Sequence, residues 1–279
     1  IASLQVVLDK GQREDWFSSP LITTLALTSV IGFIALTVRE LLTDDPVVNL
    51  ALFKDKTFTL GTVSMLVFGF ILYAMISLIP LYVQNLLGYT AFDSGLVNST
   101  RGIGVLIMMP VAGLLLRQID PRWVLMMSIP FFLGSLVEFA HLSLGADFRS
   151  IAWPSFIQGI GIGLMFVPLT TASMSNISLA KMGNATGIFN LARNIGGSIG
   201  IAVSQALYLR YAQTNQNYLV YHANEYNPAF GNALENLKQS MIAHGSDNWT
   251  SAQQALAALY RMIERQASMM AYVDVFWMV

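Results

Sequence analysis

A chain of 279 residues with 54% hydrophobic and 11% charged side chains, and a mean hydropathy of +0.57, is too apolar for a water-soluble domain of this size. A net charge of −1 and a pI near 6.3 give no basic field, which argues against nucleic acid as a partner. Cysteine is absent and the three histidines, His141, His222 and His244, are scattered, so neither a thiolate site nor a histidine metal cluster is expected, and no cofactor is implied. The expected fold class is therefore an all-α integral membrane protein.

About 20 apolar residues cross the hydrocarbon as a helix. The chain starts on Ile1, and residues 1–20 read as an outer loop that ends in a "DWF" stretch with Asp15 and Trp16. A first span follows at 21–42, and then a connector at 43–57 that carries "DDPVVNLALFKDK". Residues 58–208 form a bundle with spans at 58–83, 94–116, 123–144, 151–175 and 184–208, separated by short polar turns with Pro, Gly or Asp.

Residues 209–270 are a longer excursion with helix punctuation. Asn227 is placed as an N-cap with Pro228 behind it and Gly245 past the end, and Thr250 and Gln253 stand at capping-box spacing and open a run without a breaker towards the last span. An ordered helical domain is expected, the alternative being a solvated cap without a partner. Residues 271–279 open a further span, so the chain reads as a fragment with about six full transmembrane helices and the start of a seventh.

Basic residues set the expected sidedness. Arg39, Lys54, Lys56, Arg117, Arg122 and Lys181 fall on one side, against Arg149 alone in the alternate short loops. The richer side is expected to be cytoplasmic, which puts residues 1–20 and 209–270 outside.

Arg101 and Arg193 lie near the centres of their spans, where a charge costs at least about 2.5–3.5 kcal/mol to insert. Each is expected to face the bundle interior, a partner or a water-filled cavity. The alternative is that Arg193 only pins two helices through carbonyls. Glu138 and His141 share a helix face near the outer end of their span, where they could relay a proton or simply be wetted by water. Asp274 is read as an acid at the opening of the last span. With Asn190, Asn194 and Gln158, these residues are the candidates for a substrate or proton pathway. Gly159, Gly161 and Gly163 in "QGIGIG", and Gly196, Gly197 and Gly200 behind Arg193, stand at close-packing spacings.

Several stretches, "LDKGQREDWF", "DDPVVNLALFKDKTF", "GYTAFDSGLVNSTRGIG", "WPSFIQGIGIGLMFVPLTT" and "GNATGIFNLARNIGGSIG", occur together in one order. The set resembles the C-terminal portion of the EmrB/QacA type of drug:proton antiporter, in the fourteen-helix branch of the major facilitator superfamily. That resemblance implies a major facilitator helical bundle and proton-driven export of amphipathic or hydrophobic compounds by alternating access. It also implies a bacterial inner (cell) membrane, and a periplasmic adaptor and outer-membrane channel as partners of residues 209–270. In "GLLLRQIDPR", Arg117 occupies the place of an acid in the family's loop, which leaves Asp120 and Arg122 to pair. Phe68, Phe70, Tyr73, Met75, Met108, Met109, Phe166 and Phe189 are candidates for an adaptable apolar pocket, with core packing or lipid contact as the alternative.

Two rival classes fit less well. A membrane-embedded enzyme lacks a nucleophile–base pair or acid cluster at reactive spacing, and a channel lacks a repeated filter pattern. A non-drug solute exporter of the same fold remains the alternative within the class.

Overall fold

The computed structural model describes residues 2–11, 14, 16–42, 50–224, 227–245 and 247–278; Asp15 lies outside them. Among the described residues the helices are α1 (Ala2–Lys10), α2 (Pro20–Leu42), α3 (Lys56–Asn85), α4 (Ala91–Leu115), α5 (Pro121–Ala140), α6 (Phe148–Ser173), α7 (Met182–His222), α8 (Pro228–Ala243) and α9 (Asn248–Met278). Trp16 opens a single 3₁₀ turn, Trp16–Ser18, just before α2. Four helices, α3 to α6, are long and apolar enough to cross a membrane. α2 carries no charged residue from Pro20 to Val38. α7 is less apolar because Asn190, Arg193, Asn194 and Gln205 interrupt it and its last turns read "QTNQNY".

Local chemistry fixes where the hairpins turn. The Asp55 carboxylate accepts from Phe58 N at 2.9 Å to start α3, Thr90 Oγ1 accepts from Asp93 N at 3.2 Å to start α4, and Asp147 accepts from Ser150 N at 2.9 Å to start α6. The Phe58 N–H and the Asn176 amide hold the Asp55 carboxyl below its ordinary value, and the Ser150 hydroxyl and N–H do the same for Asp147. Asp120 does not pair with the Arg122 side chain as expected. Its Oδ1 accepts from the Arg122 backbone N–H at 2.9 Å, the N-cap of α5, because a carboxylate one residue before Pro121 is already within reach of that orphan donor.

The polar excursion differs in where α7 ends, while α9 follows the run without a breaker into the last span. α7 runs without a break past residue 208 to His222, and α9 runs from Asn248 through residue 270 to Met278. No proline or glycine interrupts either helix at those points, so the change from apolar to polar surroundings leaves the backbone unaltered. Asn227 caps α8 through Ala229 N at 3.0 Å, and Gly245 takes a φ of +94° just past its end. Thr250 is not the cap of α9: Asp247 accepts from both Trp249 N and Thr250 N at 3.1 Å, which puts Thr250 inside the first turn. Residues 1–20 also hold more than a loop, since α1 packs on α2 and α7.

The bundle is organised by two close seams, α3 on α7 and α4 on α6, with α5 on the other side of α6 and α9 against α7 and α5. Apolar burial drives helices together weakly in lipid, so close backbone approach matters more. On the first seam Gly196 lies against Leu66 O, Gly200 against Phe70 O and Gly69 against Arg193 O. On the second, Gly159 lies against Arg101 O, and a Cβ on Gly104 would stand 2.5 Å from Phe156 O. Side-chain bonds reinforce both: Gln205 Nε2 donates to Ser77 Oγ at 3.0 Å, and Thr100 Oγ1 donates to Ala152 O at 3.1 Å.

At the end of the bundle that carries the α3–α4 and α5–α6 turns, aromatic rings close the core. Tyr272 of α9 packs on Tyr208 at 4.3 Å and on Tyr82 at 5.5 Å, and Phe276 packs on Phe139 at 5.9 Å. Tyr82 OH donates to Ser143 O at 2.8 Å, tying α3 to the α5–α6 turn, and Arg265 Nη2 donates to Leu86 O at 2.6 Å, fastening α9 to the α3–α4 turn. α2 packs chiefly on α1 and the 3₁₀ turn, and Leu27, Val30, Ile31 and Phe33 stand exposed along it as a lipid-facing helix would present them.

The seams set a steric test. Gly196→Val is expected to destabilise the protein by about 1–3 kcal/mol through overpacking. Gly187→Ala, at a position with nothing within 4 Å, is expected to be silent. Unfolding midpoints in detergent measure both, and equal midpoints for the two variants would remove the seam as the organising contact.

Candidate functional site

Both central arginines sit at a point of closest helix approach, yet their side chains meet different surroundings. Arg193 is eleven residues into α7, about 16 Å along its axis, and Arg101 is ten residues into α4, about 15 Å. Both depths are near the middle of a hydrocarbon core about 30 Å thick. The Arg193 carbonyl presses on Gly69, while its guanidinium carbon lies 5.8 Å from the Phe166 ring centroid. The residue is half-buried, with Nε buried and without a protein hydrogen-bond partner.

Asn190 and Asn194 flank Arg193 at positions i−3 and i+1 on α7. Asn190 is half-buried and donates to Thr186 O at 3.0 Å, and Asn194 is exposed. Gly197, one turn further, lets the Tyr73 ring approach; a Cβ there would stand 2.7 Å from Tyr73 Cδ2. The side of α7 around Arg193 is thus polar and aromatic, with the Phe166 ring beneath it and open ground beside it. A guanidinium there can pair with an acid or order water, with Phe166 offering a ring face to a flat apolar ligand.

Arg101 is different, since it is only 5% exposed and all three guanidinium nitrogens are buried without a protein partner. Gln158, on the facing helix, is 0% exposed, and both its amide atoms lack a partner. Sequence spacing placed Arg101 with Arg193 as one kind of group. The fold separates them, one on an open face and one inside the α4–α6 layer.

The remaining candidates lie toward the end with the α3–α4 turn. Glu138 and His141 are both exposed. The imidazole Nδ1 is 2.7 Å from Val137 O and its ring packs edge-on to Trp277 at 5.8 Å, so its nearest engagements are with these groups rather than with Glu138. Asp274 does not open a helix. It lies deep in α9, where Oδ2 accepts from Asn215 Nδ2 of α7 at 3.0 Å. Among the described residues no group of three or more His, Asp or Glu converges as a metal site would.

The apolar candidates divide. Phe68, Met75 and Phe189 belong to the buried core, while Phe166 and Tyr73 stand at the Arg193 face. Sequence reasoning missed the Ser77–Gln205 bond and the Tyr82–Tyr208–Tyr272 cluster. Their members are far apart along the chain, and no local pattern connects them. A groove of about 700 Å³ lies between α7, α8 and α9, walled by Val220, Phe230, Leu256 and Tyr260.

The family profile of the Major Facilitator Superfamily matches residues 11–201. The Multidrug export protein EmrB of Escherichia coli (strain K12) is 31% identical over 279 residues, covering 100% of this chain and 53% of that protein. The Fatty acid resistance protein FarB of Neisseria gonorrhoeae is 31% identical over 246 residues, covering 88% of this chain and 48% of that protein. The Colistin resistance protein EmrB of Acinetobacter baumannii is 28% identical over 284 residues, covering 100% and 54%. The chain spans about half the length of these curated relatives.

Proposed function

The chain belongs to the Major Facilitator Superfamily, and from that premise we propose that it forms one helical bundle of a proton-driven exporter of amphipathic or hydrophobic compounds. The observation that carries the reading is the Arg193 face: a half-buried guanidinium at mid-depth, over an aromatic ring, flanked by Asn190 and Asn194 on a side of α7 that the bundle leaves open. Transporters of this architecture hold substrate near the bilayer midplane between two bundles that rock about it. Arg193 then biases the proton affinity of an acid brought across that cavity, since a nearby positive charge favours the ionised carboxylate. The names of the relatives, export and resistance proteins, agree with efflux rather than catalysis.

The location that fits is the inner membrane of a bacterium, with residues 1–20 and 209–270 outside. The α7–α8–α9 excursion, with its apolar groove, is the surface proposed to meet a periplasmic adaptor and an outer-membrane channel. Drug-like compounds and protons are the small-molecule partners. Glu138 and His141 stand at the exit end, where a relay would have to pass through water rather than through a direct bond.

Arg193→Ala in the full-length protein is expected to insert normally and to abolish proton-coupled efflux of a fluorescent dye from inverted vesicles. Arg193→Lys is expected to rescue poorly, because an ammonium lacks the planar fork. Normal efflux by the alanine variant would end the cavity role.

Replacing residues 213–268 with a short flexible linker is expected to leave insertion and dye binding intact while removing resistance in cells that need the outer-membrane route. Full resistance, or a crosslinker at Trp249 that never captures a periplasmic protein, would count against adaptor docking. Loss of the folded protein would show that the excursion braces α7 and α9 instead.

A further inference from the structure

The α4–α5 turn carries positive charge that the proposed path along Arg193 does not use. Arg117 stands just past the end of α4 at Leu115, and Arg122 lies in the first turn of α5. Both are exposed and flank one short turn. The acid between them, Asp120, is turned to the backbone, where Oδ1 accepts from Arg122 N at 2.9 Å. Among the described residues it pairs with neither guanidinium. Lys54, Lys56 and Lys181 are exposed at the same end of the bundle, since α3 starts, α4 ends and α7 starts there. Neither turn at the other end, residues 86–90 and 141–147, carries a lysine or arginine.

An apolar face begins at the level of these arginines. Trp123 is 62% exposed, and Met126 and Met127, one turn further along α5, are exposed on the same side. Leu114, three residues before Arg117, is exposed as well. In a membrane hydrocarbon covers such residues, and a tryptophan at their edge marks the depth of the headgroups. The two guanidinium groups then stand in the headgroup layer, where their planar forks match the oxygens of a phosphate. A free phosphate would meet the arginines and leave the apolar face bare. A phospholipid meets both, with its phosphate on the arginines and an acyl chain along Trp123 and Met126. A zwitterionic headgroup brings its own cation to the turn, whereas an anionic one adds the attraction of the nearby lysines.

We propose that the α4–α5 turn is a binding surface for an anionic phospholipid of the leaflet at that end, with Arg117 and Arg122 on the phosphate. The bound lipid fixes the depth at which α4 and α5 leave the membrane. The surface is independent of what the protein exports.

The test places the purified full-length protein in phosphatidylcholine vesicles that contain a brominated lipid, either phosphatidylglycerol or phosphatidylcholine with the same chains. Bromine quenches a tryptophan that it touches, and the Trp123 signal is the difference between each protein and the same protein with Trp123→Phe. In the wild type, brominated phosphatidylglycerol is expected to quench that signal at a mole fraction about fivefold lower than brominated phosphatidylcholine. Arg117→Gln combined with Arg122→Gln is expected to bring the two lipids to equal quenching. Arg149→Gln, at the other end of the bundle, is expected to leave the preference in place.

Equal quenching by the two lipids in the wild type, or a preference that survives in the double variant, overturns the site. Inorganic phosphate that abolishes the preference at constant ionic strength also overturns it, since the turn would then take a free anion. Should the double variant fail to fold, Arg117→Gln and Arg122→Gln made singly are each expected to lower the preference about twofold. An unchanged preference in both single variants overturns the site as well.

Discussion

Backbone contact through glycine is the constraint on which the rest of this bundle depends. Lipid tails are as apolar as leucine, so helices here gain little from hiding apolar faces and more from approaching closely. Both central arginines stand at such contacts: the Arg193 carbonyl lies on Gly69 of α3, and the Arg101 carbonyl lies on Gly159 of α6. The same contact that packs two helices thus anchors the backbone of a charged residue at mid-depth. The side chain is then directed to one flank of its seam. For Arg193 that flank is open and aromatic, and for Arg101 it is sealed.

From the seams outward the architecture follows in steps. α3 and α6 are the inner members of the two seams and also touch each other, while α4, α5 and α7 pack around them. Aspartate and threonine caps set the turns between them. At the far end α9 is wedged by Tyr272 and Phe276 among rings from α3, α5 and α7, and the Arg265–Leu86 bond holds it there. Because α7 and α9 both run on without a break, two helices of the excursion continue helices of the bundle, one of them the helix that carries Arg193.

The all-helical class and the positions of α3 to α6 were legible in the sequence, because apolar runs, prolines and aspartates are local signals; the glycines were legible as close-packing spacings, but not the helices they meet. The end of α7 was not legible, since hydropathy marks where lipid ends and helices need not end there; the run from Thr250 into the last span has no breaker, and α9 is continuous through it. Asp247 was missed as a cap because Thr250 and Gln253 offered a competing pattern three residues on, and the backbone donors chose the nearer carboxylate. Arg101 and Arg193 looked alike because spacing gives depth and not which flank of a seam a side chain takes. Gln158 was visible only as one polar residue in an apolar run; its complete burial depends on α6 being covered on several sides.

The most direct test of this separation uses the absence of cysteine in the chain. Single cysteines at Asn194 and Gln158 would be reacted with a charged, membrane-impermeant thiol reagent in vesicles, with and without a transported dye. The account predicts that Asn194→Cys is labelled and that the dye slows it, while Gln158→Cys stays unreacted. Equal labelling of the two positions, or an Asn194→Cys that the reagent never reaches, would contradict it.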